Sequence, residues 1–516
     1  MSGKREFGDY QTPVDFAQEV CRYLQTQKGL QPTVVIEPTC GIGNFLKSSL
    51  LFNAEQYYGI EINAEYCAFC RKRFSDKPVQ IFNSDFFTFN FKEITTPQSN
   101  ILVVGNPPWV TNTTLSTLDS KNLPTKMNFK GLRGLEALTG ASNFDICEYI
   151  ILKLLLEFEK TDTTIAMLCK TSVARNVFKE LKRNHVGFEY CELLEFDSAK
   201  VFGISASACV LIIKLSETEK VKNVCNVCSF NNAEFYPTSG LKYSLDYRND
   251  QLITSGNTDI YDLSGKCCLD WRQGVKHDCS KIMELSKKNG SFYNGMNDRV
   301  DIEENILFPL VKSSMFKRPI IEDFSKYVLV TQRKIREETS YLASYVPKTW
   351  KYLNENAEFF SNRKSSIYRG APQFAMFGVG DYSYSRYKVG VSGFYKKPLF
   401  SLLYSPDQKP VMTDDTGYFI CFDSYNMGYV AMLLLNSESV QNFLMSIAFL
   451  DAKRPYTKKV LERICFRKIF QVVHFDELQK TETELNLSPY ITEEMYSDFK
   501  KLPIFKQTQP FLSGIY

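Results

Sequence analysis

Seven short apolar runs recur through the first 215 residues, each closed by polar or turn-forming positions: VVIE (34–37), YYGIEI (57–62), VQIF (79–82), ILVV (101–104), TIAML (164–168), YCELLEF (190–196) and ACVLIIKL (208–215). Runs of this length, rich in Val, Ile and aromatic residues, predict strands. Helical patterns lie between them: Phe16, Val20 and Leu24 recur every four residues, and a long helix is expected from a cap at Asn143 through Phe158. Strands alternating with helices at this spacing predict a doubly wound α/β domain with a seven-stranded, mostly parallel sheet. After about residue 216 the rhythm gives way to polar turns and Tyr/Ser/Gly-rich segments. The boundary is placed in KLSETEKVKN, giving a first domain over 1–220 and a second over 221–516.

Composition narrows the class. The chain has 516 residues, 44% hydrophobic and 23% charged, as expected of a globular protein with more than one core. The longest apolar helical run, YIILKLLL, is too short for a membrane span and contains Lys153. The start, MSGKREFGDYQTP, has no signal-peptide core, so a cytoplasmic protein without a membrane partner is expected, its 15 cysteines kept as thiols. The net charge of +4 makes any affinity for an acidic polymer a matter of local patches.

The chemistry concentrates at the strand ends. VVIEPTCGIGNFL (34–46) is a strand, an acid, a Gly-x-Gly turn and a helix start, the arrangement by which backbone approaches a ligand closely. The second strand ends in Glu61, 24 residues after Glu37, where doubly wound folds place an acid against ribose hydroxyls; the third is followed by Asp85 and Phe86. Acids at three successive strand tips suit a ligand with an amino group, a ribose diol and an adenine amine, and do not suit a pyrophosphate. The fourth strand runs into Asn106, Pro107, Pro108 and Trp109. The Asn106 amide oxygen and the Pro107 carbonyl form a pair of acceptors suited to a planar amine, and the indole offers a stacking face for a base taken out of a duplex.

EPTCGIGNFL, GIEIN, NSDFF and NPPW, in this order, resemble the S-adenosylmethionine-dependent amino-methyltransferases. FGDYQTPVDFAQEV ahead of them resembles the N-terminal cofactor motif of the gamma-class N6-adenine DNA methyltransferases of bacterial type II restriction-modification systems. The resemblance implies a Rossmann-like methyltransferase domain followed by a mixed α+β target-recognition domain. It gives cofactor binding to Thr12 and Pro13, to Glu37, Thr39, Gly41 and Gly43 on the methionine side, to Glu61 at the ribose, to Asp85 and Phe86 at the adenine, and to Ile62. Asn106, Pro107, Pro108 and Trp109 take the catalytic role, and Phe202, in AKVFGISASACVLIIKL, packs on the flipped base opposite the indole. Trp109 stands where the family more often has Tyr or Phe.

WRQGVKHDCSKIMEL, NRKSSIY, FGVGDYSYSRYKVGVSGFYKK and DAKRPYTKKVLERI resemble the C-terminal regions of type II methyltransferases. They nominate Arg272, Lys276, Arg363, Lys364, Lys453 and Arg454 as contacts to double-stranded DNA, with Arg386, Lys388, Lys396 and Lys397 as a local basic surface. CAFC (Cys67, Cys70) and CNVC (Cys225, Cys228) imitate a zinc site, but 155 residues separate the pairs, so the cysteines are read as core residues and no metal is expected. HDC (277–279) is read as structural, or at most as DNA-contacting. No fused nuclease is expected, so a cognate restriction endonuclease would be a separate chain. Rival readings are a methyltransferase acting on RNA or on protein glutamine through the same NPPW site, and a noncatalytic DNA-binding subunit that kept the fold.

Overall fold

The structure is a computed structural model that describes residues 11–96, 99–110, 145–204, 206–216, 224–233, 236–248, 251–255, 263–450 and 452–506. The chain divides into two compact units at residue 258, each with its own core. This division falls later than the boundary near residue 220 because the segments after that point continue the first sheet.

In the first unit, α1 (Val14–Thr26), β1 (Val34–Glu37), α2 (Asn44–Ser49), β2 (Gln56–Glu61), α3 (Ala64–Arg73), β3 (Val79–Asn83) and β4 (Ile101–Gly105) precede α4 (Ile146–Glu157), β5 (Thr163–Lys170), α5 (Thr171–Arg183), β6 (Phe188–Phe196), α6 (Ser198–Phe202) and β7 (Ala208–Leu215). Three further strands follow: β8 (Cys225–Ala233), β9 (Tyr236–Arg248) and β10 (Gln251–Ser255). Among the described residues the sheet therefore has ten strands, not seven, in the order β10-β9-β8-β6-β7-β5-β4-β1-β2-β3. Its core is parallel, with β1 between β2 and β4, and β7 is antiparallel to both β5 and β6. Every residue of β1 and β4 is buried, which is why they read as continuous apolar runs. Asn143 lies outside the described residues; Asp145 caps α4, its Oδ1 accepting the Cys147 N–H at 3.1 Å.

Chain order reverses at β1, whose neighbours are β2 on one side and β4 on the other, and ligands of open α/β sheets bind at such a switch point beyond the carboxyl ends. The parallel register pairs Glu37 with Gly59, Glu61 with Asn83, and Ile36 with Val103. The carboxyl ends of β1 to β4 thus share one edge of the sheet.

The second unit is mixed α+β. One sheet has five strands, in the order β11 (Arg272–Gln273), β21 (Gly417–Phe422), β18 (Tyr387–Ser392), β19 (Ser401–Leu403) and β16 (Ile320–Ile321). The other has six: β14 (Arg299–Val300), β13 (Ser291–Tyr293), β12 (Glu284–Lys288), β17 (Lys326–Leu329), β15 (Leu307–Val311) and β20 (Met412–Thr413). Leu285, Leu307, Leu329, Leu353 and Phe374 belong to one of its hydrophobic cores, and among the described residues of the chain no helix is long and apolar enough to cross a membrane.

Candidate active site

The turn after β1 needs its glycines. Gly41 and Gly43 have φ of +51° and +74°, and a Cβ would lie 2.8 Å from the Gln11 amide at the first and 2.7 Å from the Phe74 ring at the second. Side chains from two directions fix the turn: Glu61 Oε2 accepts the Gly41 N–H at 2.8 Å, and Arg73 donates to the Ile42 carbonyl (2.6 Å) and the Asn44 amide oxygen (2.8 Å). Asn44 Nδ2 in turn donates to the Thr12 carbonyl at 2.8 Å, which ties the buried Thr12 and the following Pro13, at the start of α1, to the glycine turn. Within the turn, the Thr39 hydroxyl is buried with no hydrogen-bond partner among the described residues.

The three acids occupy different environments. Glu37 is buried, and its Oε2 accepts the Leu46 N–H at 2.9 Å; burial, offset in part by that bond and reinforced by Cys70 and Glu61, pushes its carboxyl well above the usual range. Glu61 bridges the Gly41 and Asn63 amides with its two oxygens, and the next side chain, Ile62, is 55% exposed. Asp85 is exposed, with Oδ1 accepting the Phe87 N–H at 2.9 Å, whereas Phe86 is buried. Beneath this turn lies Lys153, which donates to the carbonyls of Phe86 (3.1 Å), Phe87 (3.1 Å) and Phe89 (3.2 Å) and sits 5.1 Å from the Phe86 ring centroid. In the sequence, Lys153 stands out only as a break in a run too short to span a membrane. Its signal was a single cation in an otherwise apolar helical run.

Asn106 follows directly on the buried Gly105. Pro107 is buried, Pro108 partly exposed, and Trp109 only 9% exposed, its indole N–H having no partner among the described residues. The Trp109 ring meets Phe202 at 5.7 Å between centroids, inclined at 66°, so the structure brings together the two aromatics singled out from distant segments. Phe202 also touches Phe16 of α1 and Phe196 at the end of β6. Beyond the tetrapeptide, the Val110 carbonyl accepts the Ile146 N–H at 3.0 Å, and Asp145 pairs with Lys170 at 2.7 Å, a brace that no sequence motif announced.

The basic residues nominated in the second unit divide into two groups. Arg363 is engaged with the carbonyls of Ala375 (2.6 Å), Gln373 (3.0 Å), Phe360 (3.0 Å) and His277 (3.4 Å), and lies 3.8 Å from the Tyr368 ring centroid. Lys388 is buried rather than part of a basic surface: it donates to the Ser383 and Val411 carbonyls, and burial brings its pKa down to about 8. Arg272 pairs with Asp270, Lys276 with Asp278 and Arg454 with Asp415, while Lys364 and Lys453 are exposed without an ion pair among the described residues. In HDC, His277 is buried, its Nδ1 accepts the Cys279 N–H at 3.1 Å, and its Nε2 faces Glu284 at 3.6 Å.

The parallel sheet with its glycine turn after β1 gives a Rossmann-type methyltransferase fold, followed by a second α+β unit. No protein-family model matches the chain. The chain is 36% identical over 483 residues to the Type II methyltransferase M.NspV of Nostoc sp. (strain ATCC 29411 / PCC 7524), a match covering 91% of this chain and 98% of the relative, and it belongs to the type II methyltransferases. In fold it is similar to the type IIL restriction-modification enzyme MmeI, solved in complex with DNA: the TM-score is 0.53 at 12% identity, over 97% of this chain and 78% of the other.

Proposed function

We propose that the chain is a site-specific DNA methyltransferase of the gamma class that methylates adenine N6 from S-adenosylmethionine. In this reading it protects host DNA alongside a separate restriction endonuclease. The observation that carries the reading is Asn106-Pro107-Pro108-Trp109 at the end of β4, next to the β1 glycine turn and with Phe202 against its indole.

The residues present fit the cofactor. The buried Thr39 hydroxyl, partnerless among the described residues, and the raised carboxyl of Glu37 suit a methionine end with its ammonium group, the bridging Glu61 suits the ribose diol, Asp85 with Phe86 suits the adenine, and the exposed Ile62 offers the cofactor an apolar contact. When bound, S-adenosylmethionine supplies a methyl group on a cationic sulfonium. The protein's task is to present an amine. The exocyclic amine of adenine is weakly nucleophilic because its lone pair is delocalised into the ring. Asn106 Oδ1 and the Pro107 carbonyl accept its two hydrogens and so favour a tetrahedral nitrogen with the lone pair freed. The proline ring cannot donate to a competing acceptor, and it stiffens the turn that holds this pair. Trp109 and Phe202 give a flipped base apolar surfaces in place of its lost stacking. The unit after residue 258 reads the sequence around the target.

Asn106→Ala is expected to lower kcat by at least about 100-fold while leaving S-adenosylmethionine affinity within about twofold, the pattern of a lost transition-state interaction. Single-molecule sequencing of DNA from a methylation-deficient host expressing the chain should show N6-methyladenine confined to one short motif, and none from the variant. Unmodified DNA from a host making soluble, cofactor-binding protein would transfer the reading to RNA or protein glutamine. Full activity of Asn106→Ala would remove the proposed role of the tetrapeptide.

A further inference from the structure

Directly after β17, inside the six-stranded sheet, the chain forms a turn, Gln332-Arg333-Lys334-Ile335-Arg336-Glu337, that the motifs above leave unassigned. Its base is held from several sides. Thr331 and Gln332 are fully buried: the Thr331 hydroxyl donates to the Phe374 carbonyl at 2.7 Å, and Gln332 Oε1 accepts the Met376 N–H at 2.8 Å while its Nε2 donates to the Glu337 carbonyl. The phenols of Tyr341 and Tyr384 donate to the Thr331 and Gln332 carbonyls at 3.2 and 3.4 Å. Glu337, the one acid of the turn, accepts the Arg333 and Lys334 backbone N–H groups at 2.6 and 3.1 Å. It organises the turn instead of pairing with the cationic heads.

What this scaffold displays is unusual for a solvated turn. Arg333, Lys334, Ile335 and Arg336 are all exposed, and none of the three cations makes an ion pair among the described residues. Elsewhere in the same unit Lys312, Arg318, Lys348 and Lys409 each face an acid; Lys364 and Lys453 do not, but stand far apart in the chain, so three unpaired cations within four residues set this turn apart among the described residues. Arg336 has φ of +64°, where Gly or Asn would be expected, and Ile335 at the tip leaves half of its surface in water. A turn built only to reverse the chain gains nothing from a left-handed Arg or an exposed Ile. A turn that meets a polyanion with an apolar interior gains from both.

We propose that the Arg333–Arg336 turn is a DNA-contacting finger of the second unit: Arg333, Lys334 and Arg336 engage phosphates of the duplex, and Ile335 packs against base edges in the groove. The inference rests on the reading that duplex DNA is the substrate. The positive charge and the rigid base suit phosphates, while the apolar tip adds a contact that depends on which base it meets, as a thymine methyl does.

The test is equilibrium binding of the full chain to a duplex carrying the methylated motif, over a salt series, with S-adenosylmethionine binding measured in parallel. The variant R333Q/K334Q/R336Q is expected to bind the duplex at least about tenfold more weakly, with the slope of log K against log salt reduced in magnitude by about 2 to 3, at unchanged cofactor affinity and melting temperature. I335A is expected to keep the salt slope and lose about tenfold in discrimination between the motif and its single-base variants. A triple variant with the wild-type slope overturns the phosphate contacts, and unchanged discrimination in I335A overturns the base contact. If the wild-type chain itself shows no salt-dependent duplex binding, the DNA reading falls and the finger with it. That failure is told apart from the others because the wild type alone reveals it.

Discussion

Lys153 interrupts the run IILKLLL of α4 and is buried along with its apolar neighbours, a position that an ammonium group tolerates only with good partners. Its partners are the carbonyls of Phe86, Phe87 and Phe89, with the Phe86 and Phe91 rings beside it and Glu157 at 3.7 Å. Burial lowers its pKa, yet three acceptors and a carboxylate favour the charged form. One side chain thereby fixes the turn that carries Asp85 and Phe86. Lys153→Met keeps most of the stem volume and leaves three carbonyls without this donor, at a cost of about 2 kcal/mol. If that turn receives the cofactor adenine, the dissociation constant for S-adenosylmethionine rises about tenfold with kcat at saturation preserved, as titration calorimetry and steady-state kinetics would show. Unchanged affinity in a destabilised variant would make Lys153 a core residue only.

At the scale of elements, the strands buried on both faces were legible because burial writes itself as unbroken apolar runs: VVIE and ACVLIIKL coincide with β1 and β7 to the residue. β8 to β10 were missed because segments such as YPTSGLKYSLDYR mix polar and apolar positions, as strands with one solvated face do. The site shows the same division. The glycine turn and the NPPW tetrapeptide are contiguous and could be read locally. Arg73 on the Ile42 carbonyl, Lys153 under the Phe86–Phe89 turn and the Asp145–Lys170 pair join segments 25 to 67 residues apart and leave no local pattern. In the second unit, the motifs nominate Arg272, Lys276, Arg363, Lys364, Lys453 and Arg454 alike as DNA contacts, and only packing separates them. Arg363→Gln, losing charged donors to four carbonyls, is expected to destabilise the chain by about 3 kcal/mol without changing the salt slope of DNA binding. Lys364→Gln, one residue on and exposed, is expected to leave the melting temperature alone and to lower the slope by about 0.9 if it meets a phosphate. Thermal melts and salt titrations of the two variants side by side would expose an exchange of these roles.

Over the whole molecule, the two units hold buried groups whose ionisation is perturbed in opposite senses with respect to acid. In the first, burial raises the Glu37 carboxyl above its ordinary 4.5, so the folded chain holds this proton more tightly than the unfolded chain does, which costs stability at neutral pH, and the cost fades as pH falls toward 4.5. In the second, burial and then Lys312 lower the His277 imidazole from 6.5 to about 4. Below pH 6.5 the unfolded chain takes up a proton that the folded imidazole refuses, so this contribution is complete above 6.5 and is lost toward 4, by about 2 kcal/mol at pH 5. Acidification from about pH 7.5 to 5 is therefore expected to loosen the second unit around His277 while sparing β1 and α2. Hydrogen exchange on the full chain, corrected for intrinsic rates, reads the two units separately. His277→Gln should flatten the acid response of the second unit, and an unchanged response would place the sensitivity in other groups. Glu37→Gln should stabilise β1 and α2 at pH 7.5 and weaken S-adenosylmethionine binding together, since an ammonium group beside that carboxylate is what would offset its burial. Stabilisation without loss of cofactor affinity would separate Glu37 from the methionine end and leave it as the acceptor of the Leu46 N–H in the first turn of α2.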